Sequence, residues 1–351
     1  MLKPKVLLFY NYLSSFVKKD VEILNEAFAV RSHDFYTKKK SDTPFRFLSQ
    51  FFFLLGNIWT AKLVVVEFAG YHSLLPVLFA KLLGKKSLII SGGTDAHYFP
   101  GIGYGNWQKK YLRTFTRLSF SWCSHIAPKH KTLMQSLYEY DKSEPKEQGI
   151  YARIPGLKTP YTEIPNGYDA VKWKCTKAKK KNTFITVSGA WEYPFQQQLK
   201  GIDLILQVAP SFPDCEFIIL GVDDVSRIVT DTPNVKVLPA VANEKLVDIF
   251  SECEFYMQLS MAEGFPNSIC EAMLCECVPI GSAVFSIPEI INGSGFVLHK
   301  RDALALKDVI TSALASDRAA LGKQARQRIA TNYTHQMRKE KLLGVCEGLV
   351  G

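Results

Sequence analysis

The sequence lacks the short motifs that mark several common catalytic classes. It contains no G-x-x-x-x-G-K-[ST], which excludes P-loop nucleotide hydrolysis, and no G-x-S-x-G nucleophile elbow. No G-x-G-x-x-G follows the first apolar run, and the glycines of residues 101–105 do not match that fingerprint, which argues against NAD. The eight cysteines include no C-x-x-C pair, so we predict reduced, mostly buried thiols and no metal site.

Long hydrophobic runs, internal repeats and low-complexity tracts are also missing. The longest apolar stretch, residues 45–59, is interrupted by polar residues and is too short to cross a bilayer. Its many aromatic residues leave two interpretations, a core helix, which is the commoner explanation, and a helix at a membrane interface. The first residues have too short an apolar run for a signal peptide and are predicted to be a strand, so we expect a cytoplasmic protein.

The composition is that of an ordinary globular protein with an excess of positive charge. With 351 residues, of which 47% are hydrophobic, the chain is expected to form two domains. The 43 basic and 33 acidic residues give a net charge of +10, which favours nucleotides, phospholipid head groups or nucleic acid as partners. The lysine clusters at 38–40 and 177–181 are not interleaved with aromatic residues, so nucleic acid is not expected.

Short apolar runs alternate with segments of helical length in both halves of the chain. Strands are predicted at 6–10, 63–68, 86–90, 125–127, 183–188, 216–220, 235–238, 255–259 and 278–280. Helices are predicted at 17–28, 73–83, 107–122, from 129, and at 201–209, 244–250, 301–314, 320–332 and 336–350, with a short one at 288. This alternation predicts an α/β fold of two Rossmann-like halves with parallel sheets, separated near residues 139–181.

The segment E-G-F-P-N-S-I-C-E-A-M at 263–273 carries the most chemistry. It follows a predicted strand and places Glu263 and Glu271 eight positions apart around a turn that leads into a helix. Asn267 or Ser268 can cap this helix, whose first amides then suit an anion. Two acids beside an anion site would suit a phosphorylated, polyhydroxylated ligand. The alternative is an ordinary capped helix with two solvated acids.

Three more strand ends offer candidate ligand groups. Gly189 ends one strand, and Lys200 before the next helix is positioned to reach a diphosphate, although a surface lysine is the simpler explanation. Gly221 lets the chain turn closely past a ligand. In the first half, S-G-G-T-D at 91–95 brings Asp95, with His97, to a strand end, where a plain turn explains it equally well.

Taken in order, these motifs resemble a known family. P-N-G-Y-D at 165–169, K-G-I-D at 200–203, Glu263-x7-Glu271, P-E-I-I at 288–291 and G-F-V-L at 295–298 resemble the second domain of the retaining glycosyltransferases of family 4. The resemblance implies the GT-B architecture, an acceptor-binding domain at 1–165 joined by a C-terminal helix at about 333–351, and a donor-binding domain at 166–332.

The resemblance also implies roles for single residues. Glu271 would contact the ribose and Glu263 the donor sugar, while Lys200 would hold the diphosphate together with the loop residues Gly264, Phe265, Pro266, Asn267 and Ser268. Gly189 and Gly221 would complete the donor site, and Asp95 would act from the first domain. No metal and no cofactor is expected besides a UDP- or GDP-type sugar donor, and the leaving diphosphate would be stabilised by fixed donors during same-face attack.

Two departures from the family pattern stand out. The turn at 189–192 has no arginine to clamp the diphosphate, and no histidine precedes the G-x-D at 93–95. Three groups are alternatives for the role of this absent histidine: a backbone contact, Asp95 and His97.

We therefore expect a hexosyltransferase that acts on a cell-surface glycan or a lipid-linked acceptor, with an anionic membrane surface as a candidate partner at the inner face of the membrane. The alternatives are a nucleotide-sugar epimerase of the same fold and a catalytically degenerate scaffold protein that binds nucleotide-sugars; the missing arginine motivates the second.

Overall fold

The structure is a computed structural model that describes residues 3–37, 39–189, 195–228 and 230–351. The predicted turn at 189–192 lies outside these residues except for Gly189, and so does Lys38 of the first lysine cluster.

Five parallel strands form the first sheet, and all of them except the edge strand at Ala29–Asp34 are buried on both faces, as their apolar runs require. Their order is β2 (Ala29–Asp34), β1 (Lys5–Tyr10), β3 (Leu63–Glu67), β4 (Lys86–Ser91) and β5 (His125–Pro128). The connecting helices are α1 (Ser15–Ala27), α2 (Thr43–Asn57), α3 (Tyr71–Leu82) and α4 (Lys110–Trp122). The sequence did not predict β2, because it is a half-exposed edge strand with no apolar alternation.

The chain between the two sheets has little regular structure. It contains the antiparallel pair β6 (Ser136–Leu137) and β7 (Glu147–Gln148) and the single-turn helix α5 (Ile150–Arg153). The helix predicted from Lys129 is wrong: only a 3₁₀ turn forms there, because the chain turns within a few residues to enter β6.

Six parallel strands form the second sheet, in the order β10 (Val235–Leu238), β9 (Glu216–Leu220), β8 (Lys180–Val187), β11 (Cys253–Gln258), β12 (Val278–Ser282) and β13 (Phe296–Leu298). Its helices are α6 (Gln196–Lys200), α7 (Ile202–Val208), α8 (Asn243–Glu252), α9 (Asn267–Leu274), α10 (Ile287–Ile291), α11 (Ala303–Leu314) and α12 (Arg318–Asn332). The two sheets confirm the predicted α/β architecture with two Rossmann-like domains.

The last helix, α13 (His335–Val350), returns to the first domain. Its Leu342 and Cys346 are buried in the same core as strands β1, β3 and β4. Its Arg338 forms a buried ion pair with Asp20 of α1, in which Nε lies 2.7 Å from Oδ1. The chain therefore crosses between the domains twice, while the exact limits at 165 and 332 stay a prediction.

Strand order decides where ligands bind in such sheets. Each sheet has a point where the chain reverses its direction of winding, and ligands bind beyond the carboxyl ends of the two strands on either side of it. These are β1 and β3 in the first sheet, and β8 and β11 in the second. The loops after all four strands contain residues of the site described below.

The aromatic stretch at 45–59 is a surface helix, so its interpretation as a core helix is wrong. Only Gln50 and Leu54 of α2 are buried, whereas Phe45, Phe52 and Trp59 are among the most exposed large side chains of the protein. No helix among the described residues combines the length and the apolar character needed to cross a membrane.

The cysteines lie in the described part of the chain as free thiols. Seven of the eight are buried, as predicted, and Cys175 is half-buried.

Candidate active site

The carboxylate of Glu263 lies in the loop after β11 and is held on three sides. Its Oε1 accepts hydrogen bonds from Lys200 Nζ at 2.6 Å, Ser260 Oγ at 2.9 Å and Gln258 Nε2 at 3.1 Å. Gln258 Nε2 also donates to Ser260 Oγ at 2.8 Å, which fixes the two donors relative to each other. Glu263 is therefore positioned before any ligand arrives.

Lys200 reaches this carboxylate because of a close backbone approach. It is the last residue of α6, and Gly201 links α6 to α7 with a φ of 69°. A Cβ on Gly201 would overlap the carbonyl oxygen of Leu259, so only glycine lets α6 pack against the end of β11. Met261 N donates to Leu199 O at 2.8 Å and ties the two loops together.

The sequence placed Lys200 before one helix, whereas it lies between two. The short helix α6 was missed because its five residues, Q-Q-Q-L-K, show no apolar period.

The first turn of α9 has backbone amides that no side chain caps. The N-cap is Pro266, so the prediction that Asn267 or Ser268 caps this helix is wrong. Asn267 Oδ1 instead accepts from Asn166 Nδ2 and Tyr168 OH, each at 2.9 Å, and Ser268 Oγ donates to Gln258 Oε1 at 3.2 Å. Because these side chains face other partners, the amides of this turn remain a site for an anion.

Glu271 lies one turn into α9 and is almost completely buried. Burial raises the pKa of its carboxyl to about 7, and the positive charges of Lys19 and Lys172 oppose that shift. Lys19 belongs to α1, so the first domain contributes to the electrostatic environment of this acid. A carboxyl group held half-ionised near neutral pH by its surroundings is typical of a functional site.

Gly189 and Gly221 end the neighbouring strands β8 and β9 side by side. Both have positive φ, 72° and 94°, and a Cβ on Gly221 would lie 3.3 Å from the amide nitrogen of Gly189. They form a surface of bare backbone at the carboxyl ends of β8 and β9, and β8 is the neighbour of β11 in the sheet.

The two domains meet at glycines. A Cβ on Gly264 would overlap the carbonyl oxygen of Gly92, and a Cβ on Gly93 would lie 3.1 Å from the amide nitrogen of Gly264. The loop after β4 therefore touches the loop that carries Glu263, and backbone occupies the position where the resembling family often has a histidine.

Asp95 shapes this first-domain loop from inside. Its side chain is fully buried, and its oxygens accept from the amides of Ala69, Gly92 and Gly93 and from Ser91 Oγ, at 3.0 to 3.2 Å. Burial raises the pKa of Asp95, while these hydrogen bonds lower it. Its geometry is that of a positioning residue, since its oxygens already face the loop.

His97 is fully buried against Phe285 of the second domain, with ring centroids 4.0 Å apart. Burial lowers the pKa of His97 to about 3, so the ring is neutral, and neither ring nitrogen has a hydrogen-bond partner among the described residues. The ring packs in the domain interface rather than presenting itself to hydroxyl groups.

A cleft of about 580 Å³ opens in the first domain and ends at Glu263 and Gly264. It lies at the carboxyl ends of β1 and β3 and is lined by aromatic side chains, which are Tyr10, Tyr12, Phe16, Phe35, Phe68, Tyr71 and Tyr104. Glu67 also lines it, and burial raises the pKa of this carboxyl well above its usual range. The cleft has room for a second ligand beside the one that Glu263 and Lys200 would contact.

One group with metal-ligand chemistry is assembled among the described residues. Donor atoms of His130, Glu163 and Glu289 lie within 4.8 Å of one another. Lys131 Nζ already lies 2.8 Å from Glu289 Oε2, so an ammonium group neutralises the most exposed of these acids. The group forms an ion-pair contact between the domains, which the sequence could not reveal because its members are far apart in the chain.

Sequence reasoning missed the residues that hold the site in place. Gln258 and Ser260 orient Glu263, and Asn166 and Tyr168 orient Asn267. The signal in the sequence was the P-N-G-Y-D motif. It placed Asn166 and Tyr168 at the junction between the domains but did not indicate that they contact Asn267.

Residues 171–328 match the family described as "Glycosyl transferases group 1". The matched region spans most of the second domain. The match covers β8 to β13 and includes Lys200, Glu263 and Glu271, whereas the P-N-G-Y-D motif at 165–169 precedes it.

Two kinds of relatives support the assignment of the fold. One component of the phosphatidylinositol N-acetylglucosaminyltransferase of Arabidopsis thaliana is 22% identical over 150 residues, which are 40% of this chain but only 33% of that protein's length. Sucrose-phosphate synthase from Thermosynechococcus elongatus superposes with a TM-score of 0.72 at 13% identity, covering 99% of both chains.

Anabaena HepE in complex with UDP-glucose superposes with a TM-score of 0.69 at 13% identity, covering 98% of this chain and 99% of that one. The catalytic domain of starch synthase IV from Arabidopsis thaliana, bound to ADP and acarbose, superposes with a TM-score of 0.69 at 8% identity over the full length of both chains. The fold of this protein is the GT-B fold.

Proposed function

We propose that this protein is a retaining, metal-independent glycosyltransferase that moves a hexose-type sugar from a UDP- or GDP-sugar to an acceptor bound in the first-domain cleft. The observation that carries the proposal is the Lys200–Glu263 pair, in which Gln258 and Ser260 also hold the carboxylate and Glu263 lines that cleft. A cation and an acid fixed at one point suit a donor whose diphosphate and sugar must be held at once.

The donor-side residues would share the work as follows. The leaving nucleotide diphosphate gains negative charge as the glycosidic bond breaks, and fixed positive groups aimed at that charge lower the barrier. Lys200 and the uncapped amides of α9 would supply this stabilisation. Glu263 would accept hydrogen bonds from the donor sugar, and the buried Glu271 would accept them from the ribose.

The missing arginine would shift more of the charge stabilisation onto Lys200 and α9. Gly189 and Gly221 would let the diphosphate approach the backbone, and Phe265 and Pro266 would shape the loop that leads to the amides. Asp95 would act by holding the loop after β4 against Gly264, which keeps the acceptor cleft aligned with the donor. Attack from the same face as departure would retain the configuration of the transferred sugar.

A lipid-linked or membrane-associated glycan is the acceptor that we propose. The cleft is rich in aromatic side chains, and the plant relative is named for transfer to phosphatidylinositol, although this chain spans only a third of its length. A protein that works on such an acceptor would sit at the inner face of a membrane.

Donor binding is tested first by thermal unfolding in the presence of UDP-, GDP- and ADP-sugars. A ligand that binds only the folded state raises the melting temperature with concentration. We expect one donor class to do so for the native chain and to do so much less for Lys200→Met, with Lys323→Met on the exposed face of α12 as the matched control. No shift with any donor would contradict the proposal.

A second candidate is a nucleotide-sugar-binding scaffold without activity of its own, which the absent arginine favours. Such a protein would show the same melting shift but release no nucleotide diphosphate.

A further inference from the structure

The surface of the first domain contains a long stretch with no exposed acid. Between residues 43 and 138 the only acidic residues are Glu67 and Asp95, and both are fully buried. The same stretch holds eleven basic residues: Arg46, Lys62, Lys81, Lys85, Lys86, Lys109, Lys110, Arg113, Arg117, Lys129 and Lys131. Lys129 is buried, and the other ten make the surface positive, apart from the contact of Arg46 with Asp34 and that of Lys131 with Glu289.

Helix α2 adds a stripe of exposed apolar side chains to this surface. The stripe consists of residues spaced three and four apart, and their exposures range from 38% to 72%; they are Phe45, Leu48, Phe52, Leu55 and the adjoining Trp59. At the helical period this spacing puts all five on one face. The opposite face packs inward through Gln50 and Leu54, so the stripe is not needed to hold the helix in place.

Basic residues surround the end of the stripe. Lys5 Nζ donates to Asn57 Oδ1 at 2.9 Å and to Thr60 Oγ1 at 3.0 Å, and Lys85 Nζ donates to the carbonyl oxygen of Trp59 at 3.3 Å. The exposed Lys62 follows Trp59 by three positions in the chain. We call the apolar stripe together with Lys5, Lys62 and Lys85 the docking face.

We propose that the docking face binds an anionic lipid bilayer. An amphipathic helix with aromatic and aliphatic side chains on one face and cations beside it lies in the interface of an anionic membrane. Stripes with this spacing also pair two helices of identical chains, but here pairing would bring two surfaces together on which basic residues outnumber the nearby acids Asp34 and Asp42. Charge therefore favours the membrane over a second copy.

The position of the cleft supports the same orientation. Thr43 at the start of α2 and Leu112 of α4 both line the cleft that ends at Glu263. A bilayer bound to the docking face would lie beside the cleft opening, so an acceptor anchored in lipid could enter without leaving the membrane. This inference rests on the proposed function for its purpose, but the binding that it predicts does not depend on catalysis.

The test is flotation of the full chain with vesicles of phosphatidylcholine alone or of phosphatidylcholine with phosphatidylglycerol. We expect binding only to the anionic vesicles, weakened by added salt. Phe52→Ser combined with Trp59→Ser should reduce partitioning at least about tenfold, because two inserted aromatic side chains are lost. Leu304→Ser, which removes an equally exposed apolar side chain from α11, is the matched control.

Charge is tested separately by Lys62→Glu combined with Lys85→Glu, at the end of the stripe. Each basic side chain near an anionic surface contributes about a fivefold increase in partitioning, so we expect a loss of about 25-fold or more. Lys245→Glu combined with Lys323→Glu, on exposed faces of the second domain, should change it much less.

Two results would overturn the inference. One is equal partitioning of the native chain and the docking-face variants. The other is a dimer in lipid-free solution that the Phe52 and Trp59 substitutions abolish, which would assign the stripe to a second copy. The rise in melting temperature with a nucleotide-sugar is measured on the same protein. Vesicle binding without that rise contradicts the proposed function alone. The rise without vesicle binding contradicts this inference alone.

Discussion

Replacing Glu271 with glutamine should make the protein more stable and a poorer nucleotide binder. The carboxyl of Glu271 is buried, and its pKa rises from 4.5 to about 7. In the unfolded chain the group ionises near the lower value, so between the two values unfolding releases a proton and stability falls as the pH rises. The penalty reaches its full size above pH 7.

The size of this penalty follows from the shift. Each pKa unit corresponds to 1.36 kcal/mol, so a rise to about 7 costs the native chain about 3 kcal/mol at alkaline pH. Glu271→Gln removes the ionisable group and should recover most of that free energy at pH 8 but little of it near pH 4.5. If Glu271 accepts hydrogen bonds from the ribose, the same variant should bind the nucleotide about tenfold more weakly.

Urea unfolding followed by circular dichroism, repeated from pH 4.5 to pH 8, measures the first effect, and titration with the nucleotide measures the second. Glu22→Gln, which removes an exposed carboxylate from α1, should leave the pH dependence of stability unchanged. The reasoning is refuted if native and Glu271→Gln proteins keep the same stability difference across the pH range. A stability gain without loss of affinity would leave the burial argument standing and remove Glu271 from the ribose site.

Three further perturbations test other parts of the structure. Lys200→Met should lower the turnover of the nucleotide-sugar about 100-fold, because one fixed hydrogen-bond donor to the developing negative charge is lost. Circular dichroism should show an intact fold, and near-normal turnover would remove Lys200 from the diphosphate site. Gly264→Ala should lower turnover, because a Cβ would overlap Gly92 O and force the domains apart. Gly56→Ala, whose Cβ meets open space in α2, should leave turnover unchanged. Equal turnover by the two variants would show that the interdomain contact is dispensable. Arg338→Met should destabilise the protein by about 3 to 5 kcal/mol in urea, because it leaves Asp20 buried without its partner; a change below about 1 kcal/mol would mean that α13 is not anchored through this pair.

The sequence predicts the parts of this structure that depend on local pattern. The alternation of strands and helices predicts both sheets and most helix limits. The motifs at the strand ends indicate Lys200, Glu263 and Glu271 as candidate site residues, but not the distances between them. Elements without an apolar period were missed, namely the edge strand β2 and the short helix α6. An apolar stretch alone does not reveal which side of a helix faces the core, so for residues 45–59 a core helix was favoured over a helix at a membrane interface.

The contacts that prepare the site are not local, and no single-sequence pattern encodes them. Gln258 and Ser260 are close to Glu263 in sequence, but only the fold shows that both donate to the same oxygen as Lys200. The expected cap at Asn267 failed for the same reason, since Tyr168 and Asn166, about 100 positions earlier, compete for its side chain. Lys200 for Glu263, and Asn166 and Tyr168 for Asn267, are therefore partners that only the folded chain brings together.

The most direct test of the central claim is the rate at which the nucleotide diphosphate is released from the donor that gives the largest melting shift. The rate is measured at saturating donor for the native chain, Lys200→Met, Glu263→Gln and the control Lys323→Met. We predict measurable release by the native chain and the control, and rates about 100-fold lower for the two site variants. No release by the native chain, or equal rates in all four proteins, would contradict a glycosyltransferase built on the Lys200–Glu263 pair.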